Sequence, residues 1–164
     1  MCNLLNRLSD FLDALCKKIG GVLLAAMVFL IVIQVVARYV AGSSLSWSEE
    51  ISRYLFIWVV MFGTVIGVHD GSHVAVEFLL KRLPATLYRL ATIGYTLCLC
   101  VLAVVMSVYG SIIASDVYRQ LSPATRVPMT YVYAAVPICS AIMLVHLAAQ
   151  LTRNLSGATE GEAN

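Results

Sequence analysis

Glu49, Glu50 and Arg53, in the run SLSWSEEISRY, form the densest cluster of charge beside the long apolar stretches of this chain. Glu49 stands four residues before Arg53 and Glu50 three. At those spacings side chains meet on a helix surface, and both acids sit near the positive end of that helix's dipole. Ion pairing at a membrane boundary is the chemistry these residues offer. Ser46 and Glu49 also fit the S-x-x-E capping box, which places the start of a helix near Trp47. Gln34 and Arg38 make a second polar pair four apart, and Arg38 reaches either Glu49 or Glu50 across the intervening connection or a lipid phosphate. His69, His73 and Glu77 recur at every fourth position, and His146 lies near the end of the last apolar stretch, so a metal or a bis-histidine haem is the chemistry in question. Gly71 weakens a helix at that point, and ordinary polar roles at the membrane surface are the expectation. No catalytic, cofactor-binding or metal-ligating residue is assigned from the sequence.

Four apolar stretches, 20–37, 51–68, 90–114 and 131–151, must position these side chains in a chain of 164 residues. A hydrocarbon core about 30 Å thick takes about 20 helical residues, with every backbone polar group bonded inside the segment. The expected fold class is therefore all-α, an integral membrane protein with four transmembrane helices and an amphipathic N-terminal helix. Hydrophobic residues make up 60% of the chain and charged residues 12%, with a mean hydropathy of +0.88; in soluble domains about a quarter of residues are charged. So little remains outside the membrane that no soluble catalytic domain fits, and no enzyme is expected. The net charge is only +2, and no basic run with interleaved aromatics points to nucleic acid. The five cysteines form no C-x-x-C pair, and they read as small apolar residues rather than a disulfide or zinc framework.

Residues 1–19 carry Leu4, Leu5, Leu8, Phe11, Leu12, Leu15 and Ile19 at helical spacing, an amphipathic helix that either lies on the cytoplasmic leaflet or runs on into the first span. Residues 20–151 form the four-helix membrane domain, and 152–164 are expected to be a disordered cytoplasmic tail. Pro84 and Pro128 suit the first turns of the third and fourth helices, while Pro137 falls inside the fourth and bends it. Arg7, Lys17, Lys18, Lys81, Arg82, Arg89 and Arg153 lie on one side of the spans, against Arg38, Arg53, Arg119 and Arg126 on the other. The richer side is cytoplasmic, which puts both termini there. Tyr39, Trp47, Tyr54 and Tyr131 gather on the external side as anchors at the lipid–water boundary.

At about 100° per residue, Glu49, Arg53, Phe56, Val60, Gly63 and Gly67 fall on one line of the second helix, with Trp47 and Trp58 turned away. Charges avoid lipid, and small residues four apart let another backbone approach, so this stripe packs against protein: the chain's own helices or a partner subunit. No Asp or Glu lies within any of the four stretches. A self-sufficient coupled transporter places an ionisable group or a broken helix near the midplane, so the chain alone offers no substrate site.

The same residues carry a family resemblance. RYVAGSSLSWSEEISRYLFIWVVMFGTVIGVHDGSHVAVEFLLKRLP resembles the segment linking the first two helices of the small membrane subunit of tripartite ATP-independent periplasmic (TRAP) transporters, the DctQ family. Arg38, Tyr39, Trp47, Glu49, Glu50, Arg53, Tyr54, Gly71, His73, Val76 and Glu77 match its pattern, and SPATRVPMTYVYAAVP is similar to its segment before and within the fourth helix. Asp70 departs from it, standing where members often have Arg. The resemblance implies an inner-membrane complex in which a periplasmic binding protein captures an organic acid, such as a dicarboxylate, sialic acid or a keto acid. A large membrane subunit then moves it with sodium, and this chain braces the complex among membrane lipids. On that view Arg38, Glu49, Glu50, Arg53, Gly63 and Gly67 form the subunit interface. The rival readings are a haem-binding electron-transfer subunit and a self-contained homodimeric exporter.

Overall fold

The computed structural model describes residues 2–40, 42, 45–70 and 85–161. The fold is all-α. The elements are α1 (Cys2–Val40), α2 (Ser46–His69), α3 (Ala85–Asp116), a 3-10 turn (Val117–Arg119), α4 (Thr130–Tyr133) and α5 (Ala135–Gly161). Four helices are long and apolar enough to cross a membrane: Leu5–Val40, Ser46–His69, Leu90–Arg119 and Thr130–Thr152, the last broken at one point.

No proline interrupts the first 40 residues, and the amphipathic segment and the first span are one helix of 39 residues. At 1.5 Å per residue it is about 58 Å long, close to twice the hydrocarbon thickness. A Cβ on Gly20 would lie 3.4 Å from Phe62 Cβ, so this glycine lets α1 and α2 pack closely. The face that α1 turns to the bundle over its first four turns is polar. Ser9, Asp13 and Cys16 are buried, while Leu8, Phe11, Leu15 and Ile19 are exposed. Lipid makes sense of this inversion, because apolar side chains are already in an apolar solvent there and protein contact is left to polar and small groups.

α5 holds the bundle together, touching α1, α2 and α3, and α3 packs mainly on α5. The core is small: Cys16, Phe62, Val65, Val68, Ala103, Cys139, Met143 and Leu147. The rest of the apolar surface points outward, with Val101, Val108 and Tyr109 of α3 all exposed. Pro137 acts one turn upstream of itself. Lacking an N–H, it cannot bond the Tyr133 carbonyl, and the helix breaks at Ala134 between α4 and α5. Against this break lies Gly110, where a Cβ would stand 3.1 Å from Pro137 Cδ and from Val136 Cγ1. Thr130 Oγ1 donates to the Ala114 carbonyl at 2.9 Å and ties α4 to the end of α3.

Three expectations are corrected here. The Ser46–Glu49 capping box does not form: Leu45 is the N-cap and no side chain caps the helix, because Glu49 turns instead to Arg53. Pro128 is not a helical residue; it pairs with Leu121 in an isolated bridge, and α4 starts at Thr130. α5 runs to Gly161 and so includes most of the stretch read as a disordered tail, since no proline follows Pro137 to stop it. Pro84, and the side chains of Lys81, Arg82, Arg89 and Arg153 that weighed in the charge count, lie outside the described residues.

Candidate functional site

Polar side chains collect at the two ends of the bundle. At the first end, α2 begins beside the turn at 123–125. Glu50 Oε2 accepts from the backbone N–H of Ala124 at 3.0 Å and of Thr125 at 2.9 Å, while Oε1 accepts from the Tyr54 hydroxyl at 2.5 Å. Tyr54 also lies 3.5 Å from Met129 Sδ. Glu50 is therefore spent inside the chain, fastening α2 to the connection before α4, and Tyr54 is half-buried at this joint rather than free in lipid. Positive φ at Arg126 (57°) gives the connection its tight return. Trp58 Nε1 donates to the Tyr131 carbonyl at 3.2 Å and packs on Phe62.

Glu49 and Arg53 behave differently. They pair at 3.2 Å with 53% and 68% of their side chains exposed, and they border an open cavity of about 650 Å³ whose apolar walls include Ile57, Val132 and Val136. Below them, Phe56 and Val60 are exposed, and a Cβ added to Gly63 or Gly67 would meet nothing within 4 Å. Among the described residues the chain's own helices leave Glu49, Arg53 and Gly63 exposed, while Gly67 is half-buried. Among the described residues Arg38 pairs with neither Glu49 nor Glu50, and it is exposed with Tyr39 near the end of α1. Tyr39, Trp47 and Tyr131 are exposed on the same end.

The opposite end brings α1, α2 and α5 together through groups whose spacing in the sequence gave little sign of it. Ser9 Oγ and His146 Nδ1, both fully buried, are 2.7 Å apart, and His146 meets His69 edge-on with ring centroids 4.9 Å apart. His69 Nδ1 lies 3.2 Å from Asp70 Oδ1 and 3.5 Å from Asp13 Oδ1, and its Nε2 lies 3.3 Å from Asp10 Oδ1. Lys17 Nζ reaches Asp13 Oδ2 at 2.8 Å and Asp70 Oδ1 at 3.1 Å. The Lys17 ammonium first, and His69 second, hold the Asp70 carboxyl below its usual range. Gln150 Nε2 donates to the Val68 carbonyl at 2.8 Å, satisfying a carbonyl in the last turn of α2. The one legible sign was Ser9, Asp13 and Cys16 at i, i+4 and i+7, a polar line on α1. His73 and Glu77, proposed as partners of His69, lie outside the described residues.

The family model described as "Tripartite ATP-independent periplasmic transporters, DctQ component" matches residues 27–157. The chain belongs to the DctQ family. A Haemophilus influenzae protein assigned as a TRAP transporter small permease is 27% identical over 133 residues, 80% of each chain. The C4-dicarboxylate TRAP transporter small permease protein DctQ of Rhodobacter capsulatus is 30% identical over 104 residues, 62% of this chain and 46% of that one. The sialic acid TRAP transporter permease protein SiaT of H. influenzae is 25% identical over 134 residues, 82% of this chain and 22% of that much longer one. As a DctQ chain this is a multi-pass membrane component of a transporter, in agreement with the four apolar helices.

Proposed function

We propose that this DctQ chain is the fixed brace of a TRAP transporter in the inner membrane, with both termini cytoplasmic. In this reading it holds the large membrane subunit through the outward face of α2, next to where a periplasmic binding protein delivers an organic acid. The carrying observation is that face: a Glu49–Arg53 pair above Gly63, all three left exposed by the described residues of the chain, with Gly67 half-buried below them. Charge and bare backbone turned outward in a membrane call for a protein partner. The long SiaT relative supports the same arrangement, since a region like this chain forms 22% of a larger permease polypeptide. Arg38 stands exposed where it can join the interface, and Glu50 shapes it by holding the 123–125 turn in place.

Relatives named for C4-dicarboxylate, for sialic acid and for isethionate support an organic acid as the transported solute, and sodium coupling is what the family resemblance implies. None of the four apolar stretches holds an acidic side chain, so solute and sodium sites belong to the large subunit. The His69–His146 pair lends the haem alternative no support, because these two rings touch edge-on at 4.9 Å with no space for a macrocycle between them. Co-purification of the two membrane subunits tests the proposal. Arg53→Ala combined with Gly63→Leu is expected to lose most of the complex and of sodium-driven uptake. Undiminished complex and uptake would overturn it, as would organic-acid transport by vesicles containing this chain alone.

A further inference from the structure

We infer that Asp13, His69 and Asp70 form a binding site for a borderline divalent cation of the Zn²⁺ class, clasping the N-terminal turns of α1 to the end of α2. One ligand atom from each residue lies within 4.8 Å of the other two. The edge between neighbouring ligands of a tetrahedral ion with bonds of 2.0–2.1 Å is about 3.3 Å. Two of the three edges already have this length, His69 Nδ1 to Asp70 Oδ1 at 3.2 Å and His69 Nδ1 to Asp13 Oδ1 at 3.5 Å. Rotation of the half-exposed Asp70 closes the third.

A separate observation points to the same place. Asp13 is 7% exposed, and its Oδ1 is a buried acceptor with no hydrogen bond among the described residues. That oxygen is the one aimed at His69 Nδ1. A buried carboxylate oxygen without a donor is costly, and a cation at this point satisfies it. The remaining ring nitrogen of His69 faces Asp10 Oδ1 at 3.3 Å. A carboxylate there holds the proton on Nε2 and leaves the Nδ1 lone pair for the metal, the carboxylate–histidine arrangement that stands behind zinc-binding histidines.

Charge argues the same way. Among the described residues Lys17 supplies the one ammonium paired with Asp13 and Asp70, and Asp10 meets His69 alone. Lys17 bonds Asp13 through Oδ2, the oxygen the cation does not use, but it competes for Asp70 Oδ1. With 45% of its side chain exposed it can swing out to water, so Lys17 is a built-in competitor rather than a ligand. Asp10, 66% exposed, and Asp70, 42% exposed, mark the access route, and water takes the fourth position. The site stands independently of the interface proposed above.

The test uses the full-length chain without a polyhistidine tag, reconstituted in nanodiscs and titrated with Zn²⁺ against a chromophoric chelator, with Co²⁺ as spectroscopic probe. One equivalent should bind, and Co²⁺ should give the intense visible bands of a tetrahedral site. His69→Ala and Asp13→Asn should abolish both signals. Asp10→Asn should weaken binding about 10- to 100-fold. Lys17→Met, which removes the competitor at a half-exposed position and does not threaten folding, should tighten it by roughly tenfold. No saturable binding by the native chain overturns the inference in favour of a plain His69 imidazolium ion pair. Binding that survives His69→Ala, or fails to tighten in Lys17→Met, overturns it as well.

Discussion

Both ends of the bundle are joined by carboxylates, but only one of the joints is complete. Around Glu50 one carboxylate meets three donors, the Tyr54 hydroxyl and the Ala124 and Thr125 amides, all from the same chain. Around His69, among the described residues, three carboxylates converge on one imidazole, two of them share the Lys17 ammonium, and a buried oxygen of Asp13 makes no hydrogen bond. Satisfied polar groups fix a fold, and unsatisfied ones show where it expects something further. The first joint is thus structural, and its neighbours Glu49 and Arg53 stay exposed beside it, as the proposed interface requires. The second joint keeps one buried acceptor open, where the inferred cation would sit.

The contrast can be broken by removing what is buried. His146→Ala deletes a fully buried ring and strands Ser9; it should cost about 3 kcal/mol and open α1 to proteolysis near Ser9 while the Glu50 joint stays intact. Thermal unfolding and limited digestion of the purified chain read both effects. Glu50→Gln removes the charge from the complete joint. The amides of Ala124 and Thr125 should then exchange hydrogen roughly tenfold faster, with no change at residues 9–17; equal protection in variant and native chain would mean that Glu50 is not the clasp. The smallest effect sharpens the comparison further. Arg53→Ala breaks an exposed pair and should change the stability of the isolated chain by less than about 0.5 kcal/mol, although the same substitution is expected to weaken the complex. A large loss in the isolated chain would show that the pair belongs to the fold and not to a partner.

The spans were legible because crossing a bilayer imposes a length and a composition that nothing else in the chain satisfies, and Pro137 announced the break at Ala134. The outward stripe of Glu49, Arg53, Gly63 and Gly67 was legible as well, because periodicity reports which residues share a face. Periodicity does not report which face meets protein. In water the apolar side of residues 1–19 would turn inward; in lipid the rule reverses, and Ser9, Asp13 and Cys16 are the buried line. Nor does local spacing reveal partners far along the chain. Glu50 finds its donors 74 and 75 residues away, and the capping box drawn from Ser46 and Glu49 competed with a nearer cation, Arg53, and lost. His69 was singled out for its periodic neighbours, whereas its companions at ligand distance are Asp10 and Asp13 of α1 and the adjoining Asp70.

Synthesis of the chain runs from the end that must wait longest. Ser9 is made early, yet its seat against His146 lies 137 residues later, so the opening turns of α1 have no polar companion on α5 until the last helix has left the ribosome and entered the bilayer. A nascent polypeptide stalled before residue 146 would show a quality-control protease the loose end of α1. Maturation of the subunit can be timed by the moment that end becomes protected.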